Sequence, residues 1–255
     1  MRTRLAACAE SSIKSVGRTA GLESDIDVRL AADAVFIDLD GTLIDTAPDL
    51  GSALNRTLEE LGHAPVSDDL VRMWIGHGAA VLVQHAMQEA TAVAPDSHQH
   101  GTALARFLEL YAANLCGRSK IYPGVEAVLA QLSAAGFRLA CVTNKRQAMT
   151  VPLLEQIGLM PYFDLVICGD SQDSMKPEPG PLLHACERLE IGPQHCVLVG
   201  DSENDILAAQ AAGMAVIWVT YGYNQGRDLA VMRPDATIDA FSTVADIVER
   251  AELAS

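Results

Sequence analysis

The sequence is short of positive charge. Its 255 residues carry 18 Lys and Arg against 33 Asp and Glu, a net charge of −15. So acidic a chain repels nucleic-acid phosphates, and no basic face stands out to offset that, so nucleic acid is excluded as a partner. Also missing is any run approaching the roughly 20 apolar residues of a membrane helix, so no membrane partner is expected. The six cysteines, Cys8, Cys116, Cys141, Cys168, Cys186 and Cys196, form no CxxC pair and no zinc spacing. Cys141, Cys168 and Cys196 fall in apolar strand-like runs, where a thiol acts as a small core residue; reduced thiols and a cytoplasmic location are the expectation. His98 and His100 lie two apart with no third ligand nearby, which is too few for a metal site. There is no internal repeat. Residues 1–30 hold Arg2, Arg4, Lys14 and Arg18 among serines, with a faint organellar-transit flavour, and are expected to be a disordered extension.

What is present is a core and a pattern. Hydrophobic residues make up 49% of the chain, enough to fill one large domain or a domain with a smaller one inserted. The organising stretch is Val35 to Asp45, VFIDLDGTLID. An apolar strand delivers Asp38 and Asp40 to a turn at Gly41, the end of an α/β strand where ligands bind.

Thr46 to Gly62 reads as a helix, with Thr46 as cap, Asp49 three residues on, and Leu50, Leu54, Leu58 and Leu61 on one face. Ser67 opens a second helix that stops at Gly76, His77 and Gly78, and a third runs from Ala79 to about Ala90. A loop is expected over Thr91 to His100 and a helix over Gly101 to Leu115, its apolar side including Phe107 and Tyr111. No strand candidate lies between Asp45 and Ser119, so residues 46–119 are expected to form an all-α inserted domain. The remainder of the fold, 31–45 and 120–255, alternates strand and helix. Strands are expected at Phe137–Val142, Asp164–Cys168, Cys196–Val199, Ala215–Val219 and Thr237–Asp239, with Pro152 near a helix start and a last helix over Thr243–Ala251. Strands separated by single helices imply a parallel sheet with right-handed crossovers.

The strand ends supply Asp38 and Asp40, then Thr143, then Lys176 in a following loop, then Asp201 and Asp205. Taken singly, a threonine at a strand end, a solvated lysine and an aspartate in a helix's first turn are ordinary. Together they suit one phosphate and one metal. Clustered carboxylates repel by roughly 4 kcal/mol per pair at 4 Å and an effective dielectric of 20, so they need cations. Hard oxygen ligands without histidine or thiolate point to Mg²⁺.

The motifs DLDGTLID, VTNK, KPEP and GDSENDI, in that order with a helical insert after the first, resemble the haloacid dehalogenase superfamily of phosphatases over roughly Ala34 to Val248. WIGHGA, KPEPGPL and VTYGYN are similar to its phosphoglycolate phosphatase branch. The resemblance implies an α/β fold, a Rossmann-like parallel sheet core flanked by helices with an inserted all-α helical cap domain. It implies a Mg²⁺-dependent phosphomonoester hydrolase acting on a small molecule. Asp38 would be the nucleophile, Asp40 the general acid and base, and Thr143, Lys176 and the Asn144 amide the phosphate holders. The metal would be held by Asp38, the Asp40 carbonyl and Asp201, with Asp205 in support. The second aspartate argues against a carbon–halogen hydrolase. The cap has no lysine, so Gly76, His77 and Gly78 amides, Arg72 and Lys145 are the candidates for a substrate carboxylate. A β-phosphoglucomutase-like or broad sugar-phosphate phosphatase stays open, as does a non-catalytic receiver-like module.

Overall fold

The computed structural model describes residues 28–251. The expected disordered extension therefore lies outside the described residues up to residue 27, and Leu30, its last residue, is already in a strand. Six parallel strands form the main sheet. They are β2 (Ala34–Ile37), β5 (Arg138–Val142), β6 (Leu165–Ile167), β7 (Cys196–Gly200), β8 (Ala215–Val219) and β9 (Ala236–Ile238), in the order β6-β5-β2-β7-β8-β9. The chain moves outward from β2 on one side, then returns to pair β7 against its other edge. That reversal is a topological switch point, where the carboxyl ends of strands leave a crevice.

Both faces of the sheet are buried, which is why its strands read as unbroken apolar runs. Val35, Ile37, Leu139, Cys141, Val197 and Val199 point to one side, with helices α5 (Val125–Ala134) and α6 (Gln147–Gln156). Phe36, Ala140, Val142 and Leu198 point to the other, under α7 (Gly180–Leu189) and α8 (Glu203–Ala212). Ile37 is in register with Cys141 and Val199, so Asp38, Thr143 and Asp201 leave the sheet at nearly one level.

Between the short strands β3 (Ile44–Asp45) and β4 (Lys120–Ile121) lie four helices: α1 (Ala47–Glu60), α2 (Asp68–Trp74), α3 (Ala79–Thr91) and α4 (Ser97–Ala112). β3 and β4 pair antiparallel, so the outgoing and returning chains leave the sheet side by side. Asp49 fixes this junction. It is buried at 1% exposure and accepts hydrogen bonds from the Arg118 and Ser119 amides (2.9 and 2.7 Å) and the Ser119 hydroxyl (2.6 Å). Asp49→Ala is expected to cost about 3 kcal/mol in urea unfolding, because three donors lose a charged acceptor; a loss below about 0.5 kcal/mol would remove Asp49 from this role.

Several expected boundaries move. The fourth helix begins at Ser97, four residues early, because Asp96 and Gln99 form a capping box. Pro152 sits inside α6, which starts at Gln147, so it is not near the helix start. The last helix is only α9 (Val244–Ile247); Val248–Arg250 is a strand, β10, paired in parallel with β1 (Leu30–Ala32). The five described cysteines are free, Cys186 and Cys196 with sulfurs 3.8 Å apart. Among the described residues no helix is long and apolar enough to cross a membrane.

Candidate active site

Asp38 is the first residue after β2, and its amide still donates to the Val199 carbonyl at 3.0 Å, so the backbone holds it at the sheet's rim. Its carboxylate accepts from Lys176 Nζ at 2.7 Å. Lys176 reaches in from the loop after β6 and also donates to Asp205 Oδ1 (2.6 Å) and the Val142 carbonyl (2.7 Å). All three protons of the ammonium are thus used. Burial pulls the Lys176 ammonium toward neutrality, but the charges of Asp205 and Asp38 outweigh it and hold its pKa above the ordinary value.

Asp201 follows β7 directly. It accepts from the Thr42 hydroxyl (2.8 Å) and the Tyr223 amide (2.6 Å), while its carbonyl receives the Trp218 indole N–H (3.1 Å). Gly41 makes room for it: with φ at +94°, a Cβ there would stand 2.3 Å from Asp201 Oδ2. Asp205, at the start of α8, spends its other oxygen on the Ser202 amide and hydroxyl. Ligand oxygens of Asp38, Asp201 and Asp205 lie within 4.8 Å of one another. Burial, then the neighbouring carboxylates, push Asp201 well above the usual range; burial raises Asp38 to about 7 despite Lys176. These are hard oxygen donors with a charge deficit, and they fit Mg²⁺.

Asp40 faces elsewhere. Its Oδ1 accepts from Thr46 Oγ1 (2.7 Å) and Lys145 Nζ (2.9 Å), so its carboxylate stands outside the acidic cluster and only its carbonyl is left for the metal role expected of it. Thr46 caps nothing with its side chain: Asp40 takes it instead. The Thr143 hydroxyl accepts from the Lys145 amide at 3.2 Å, which orients it with its own proton free. The Asn144 side chain ties two loops together, bonding the Lys176 amide (3.0 Å) and carbonyl (2.7 Å) and the Gly76 carbonyl (2.9 Å).

One cavity joins these groups. Asp38, Asp40, Thr143, Asn144, Lys145, Lys176 and Asp201 line it, and Gly76, Gly78 and Ala79 close it from the helical side. Two expected substrate residues are elsewhere. The Arg72 guanidinium is held by Asp45 through two hydrogen bonds (3.0 and 2.9 Å) and does not line the cavity. A fixed carboxylate partner beside it in the chain's own fold takes up its fork. His77 also stays outside, 3.1 Å from Asn204 through Nδ1, and burial, with His85, lowers its pKa, which favours a neutral ring. Gly76 presents its carbonyl to Asn144 and Asn204, so it docks this loop.

Sequence reasoning missed Thr42, Tyr223 and Tyr111. Thr42 stands in the DLDGT stretch and Tyr223 in VTYGYN, so both had a signal; Tyr111 reads only as one more apolar residue of α4.

Residues 35–219 match the family model described as haloacid dehalogenase-like hydrolase. A protein of Nitrosospira multiformis named phosphoglycolate phosphatase is 46% identical over 217 residues, 85% of this chain and 96% of that one. One of Cupriavidus necator, named phosphoglycolate phosphatase, plasmid, is 43% identical over 227 residues, 89% of this chain and 97% of its own. Among solved structures, a protein of Haemophilus somnus described as a predicted phosphoglycolate phosphatase superposes with a TM-score of 0.81 at 36% identity, covering 84% of this chain and 97% of that chain.

Proposed function

The chain belongs to the haloacid dehalogenase-like hydrolases, and from that premise we propose that it hydrolyses 2-phosphoglycolate to glycolate and phosphate, with α1–α4 serving as the cap over the site. The observation that carries the reading is the pair of aspartates at one strand end with different partners: Asp38 against Lys176, Asp40 against Lys145. Two carboxylates held apart in this way can take two roles. The substrate follows from the names of the relatives.

Asp38 Oδ attacks phosphorus in line, the phosphorus–ester oxygen bond breaks, and an aspartyl phosphate forms. The proton on Asp40 goes to the departing glycolate oxygen. Asp40 then takes a proton from water as that water attacks phosphorus, releasing phosphate and restoring Asp38. The Thr143 hydroxyl holds a phosphoryl oxygen, and the Lys176 ammonium, committed to Asp38, Asp205 and the Val142 carbonyl, supplies positive charge beside the phosphoryl group as charge shifts among its oxygens. Asp38, Asp201 and the Asp40 carbonyl, with Asp205 behind, would hold Mg²⁺, which when bound would supply further positive charge to those oxygens. Lys145 keeps Asp40 oriented toward the ester oxygen.

Phosphate release should be measured from 2-phosphoglycolate beside glucose 1- and 6-phosphate. The expected result is a kcat/KM at least about 100-fold higher for phosphoglycolate, the ratio that a site built around one substrate group reaches; a preference for the hexose phosphates would sink the substrate and leave the chemistry. Asp40→Asn separates a hydrolase from a receiver-like module. Turnover is expected to fall by about 10²- to 10³-fold, in the range of lost acid–base catalysis, whereas a module that only keeps a phosphate would bind acetyl phosphate or phosphate unchanged.

A further inference from the structure

Among the described residues two buried side-chain polar atoms lack a well-formed hydrogen bond: Nδ1 of His85 and the hydroxyl of Tyr111, whose oxygen the Lys145 ammonium approaches without taking up its proton. His85 packs against Trp74 within the helices, away from the cavity. Tyr111 is different. It is 2% exposed, stacks on Phe107 with ring centroids 5.9 Å apart, and lines the same cavity as Asp38 and Asp40. A buried hydroxyl with an unpaired proton is destabilising, and one that lines a cavity can be satisfied by a molecule bound there.

Its position says which partner. Lys145 Nζ lies 4.7 Å from the Tyr111 ring centroid and donates to both oxygens of Asp40, at 2.9 and 3.1 Å. Tyr111 therefore stands next to the acid that serves the ester oxygen. In 2-phosphoglycolate that oxygen is separated from the carboxylate carbon by one methylene, about 2.5 Å. Donors for the carboxylate must lie beside Asp40, in a cavity where Leu50, Ile75, Leu82, Leu108 and Met149 supply apolar lining. Arg72 is held by Asp45 and the charge of Lys145 is already shared with Asp40. Arg146 also lines the cavity, but its side chain is half exposed and lies 3.7 Å from Asp170, so the Tyr111 hydroxyl is the buried donor with a proton unspent.

We propose that Tyr111 determines specificity: its hydroxyl donates a hydrogen bond to the carboxylate of the leaving group, with the Lys145 ammonium beside it. This rests on the reading of the substrate as a short phosphorylated carboxylic acid. Burial, opposed by the charge of Lys145 and its hydrogen bond to the phenol oxygen, pushes the phenol up to about 12, so it retains its proton at working pH, and the ammonium, itself only a donor, leaves that proton free. The burial of the group makes it discriminating, since a substrate without an acceptor leaves the hydroxyl unpaired.

The test compares 2-phosphoglycolate with ethyl phosphate, which has the same chain length and no carboxylate, in the wild type and in Tyr111→Phe, with Tyr111→Leu as second variant. The ratio of the two kcat/KM values within one protein is independent of how much of it is folded. Tyr111→Phe is expected to lower the ratio about 30- to 100-fold, as for loss of a hydrogen bond to a charged group. An unchanged ratio, whether both rates fall or neither, overturns the proposal and leaves the substrate reading standing. A wild type that does not prefer 2-phosphoglycolate to ethyl phosphate overturns the substrate reading and this proposal with it.

Discussion

Asp38→Asn is expected to lower phosphate release from 2-phosphoglycolate by at least about 10⁴-fold, the scale on which removal of a covalent nucleophile falls. The amide oxygen is a poor nucleophile and the phosphoryl bond it would form could not be stable, so no covalent path remains. The fold should survive, because Lys176 retains Asp205 and the Val142 carbonyl as partners. It should even gain stability in chelator at pH 8. Asp38, Asp40, Asp201 and Asp205 face only Lys145 and Lys176 across the hydrogen bonds of the site, and the substitution removes one of the surplus negative charges. Two measurements check this together. Turnover reads the chemistry, and thermal unfolding at pH 8 reads the charge balance. Residual turnover within about 100-fold of wild type would remove Asp38 as nucleophile; a large drop in melting temperature would mean that Asp38 is needed for the fold itself.

The site was legible in the sequence because its residues follow strand ends, and a buried parallel strand is the easiest element to read: four apolar residues, then a polar one. Lys176 was legible only through KPEP, since nothing in a loop of its own pattern says which way a lysine points. Some local signals lost to tertiary partners. Thr46 and Asp49 have the spacing of a helix start, yet Thr46 bonds Asp40 and Asp49 bonds the returning chain at Arg118 and Ser119. Val248 to Arg250 continue a helical pattern but pair with a three-residue strand at Leu30, which is too short to show a period. Arg72 was an attractive substrate ligand as one of few cations in its region, but two residues of the junction claim it: Asp45 by a fork of hydrogen bonds and Tyr223 by its ring, 5.5 Å away. Tyr111 was invisible for a deeper reason. Its ring belongs to the core and only its oxygen belongs to the site, and periodicity reports the ring.

Removal of Mg²⁺ is expected to cost turnover at least about 10³-fold, since a metal at a phosphoryl group is worth several kcal/mol of transition-state charge. The effect on stability should depend on pH. Burial raises the Asp38 carboxyl from 3.8 to about 7 in the folded, metal-free protein, and Asp201 is raised too, by burial and then by Asp38 and Asp205. Between about pH 4 and pH 7 the folded state therefore holds a proton on Asp38 that the unfolded chain has released, so stability falls as pH rises through that window. A divalent ion needs the ionised carboxylates and competes with those protons. The stabilisation that Mg²⁺ gives must then grow as pH rises toward and past 7. With Mg²⁺ at about 100 times its dissociation constant, the melting temperature at pH 8 should lie roughly 5 to 10 °C above that in chelator, and the gap should close toward pH 5. Thermal unfolding at both pH values, with Mg²⁺ and with chelator, is the measurement. A gap that is equal at pH 5 and pH 8 would mean that the ion sits on groups other than Asp38 and Asp201, and the assignment of the acidic cluster as the metal site would fall with it.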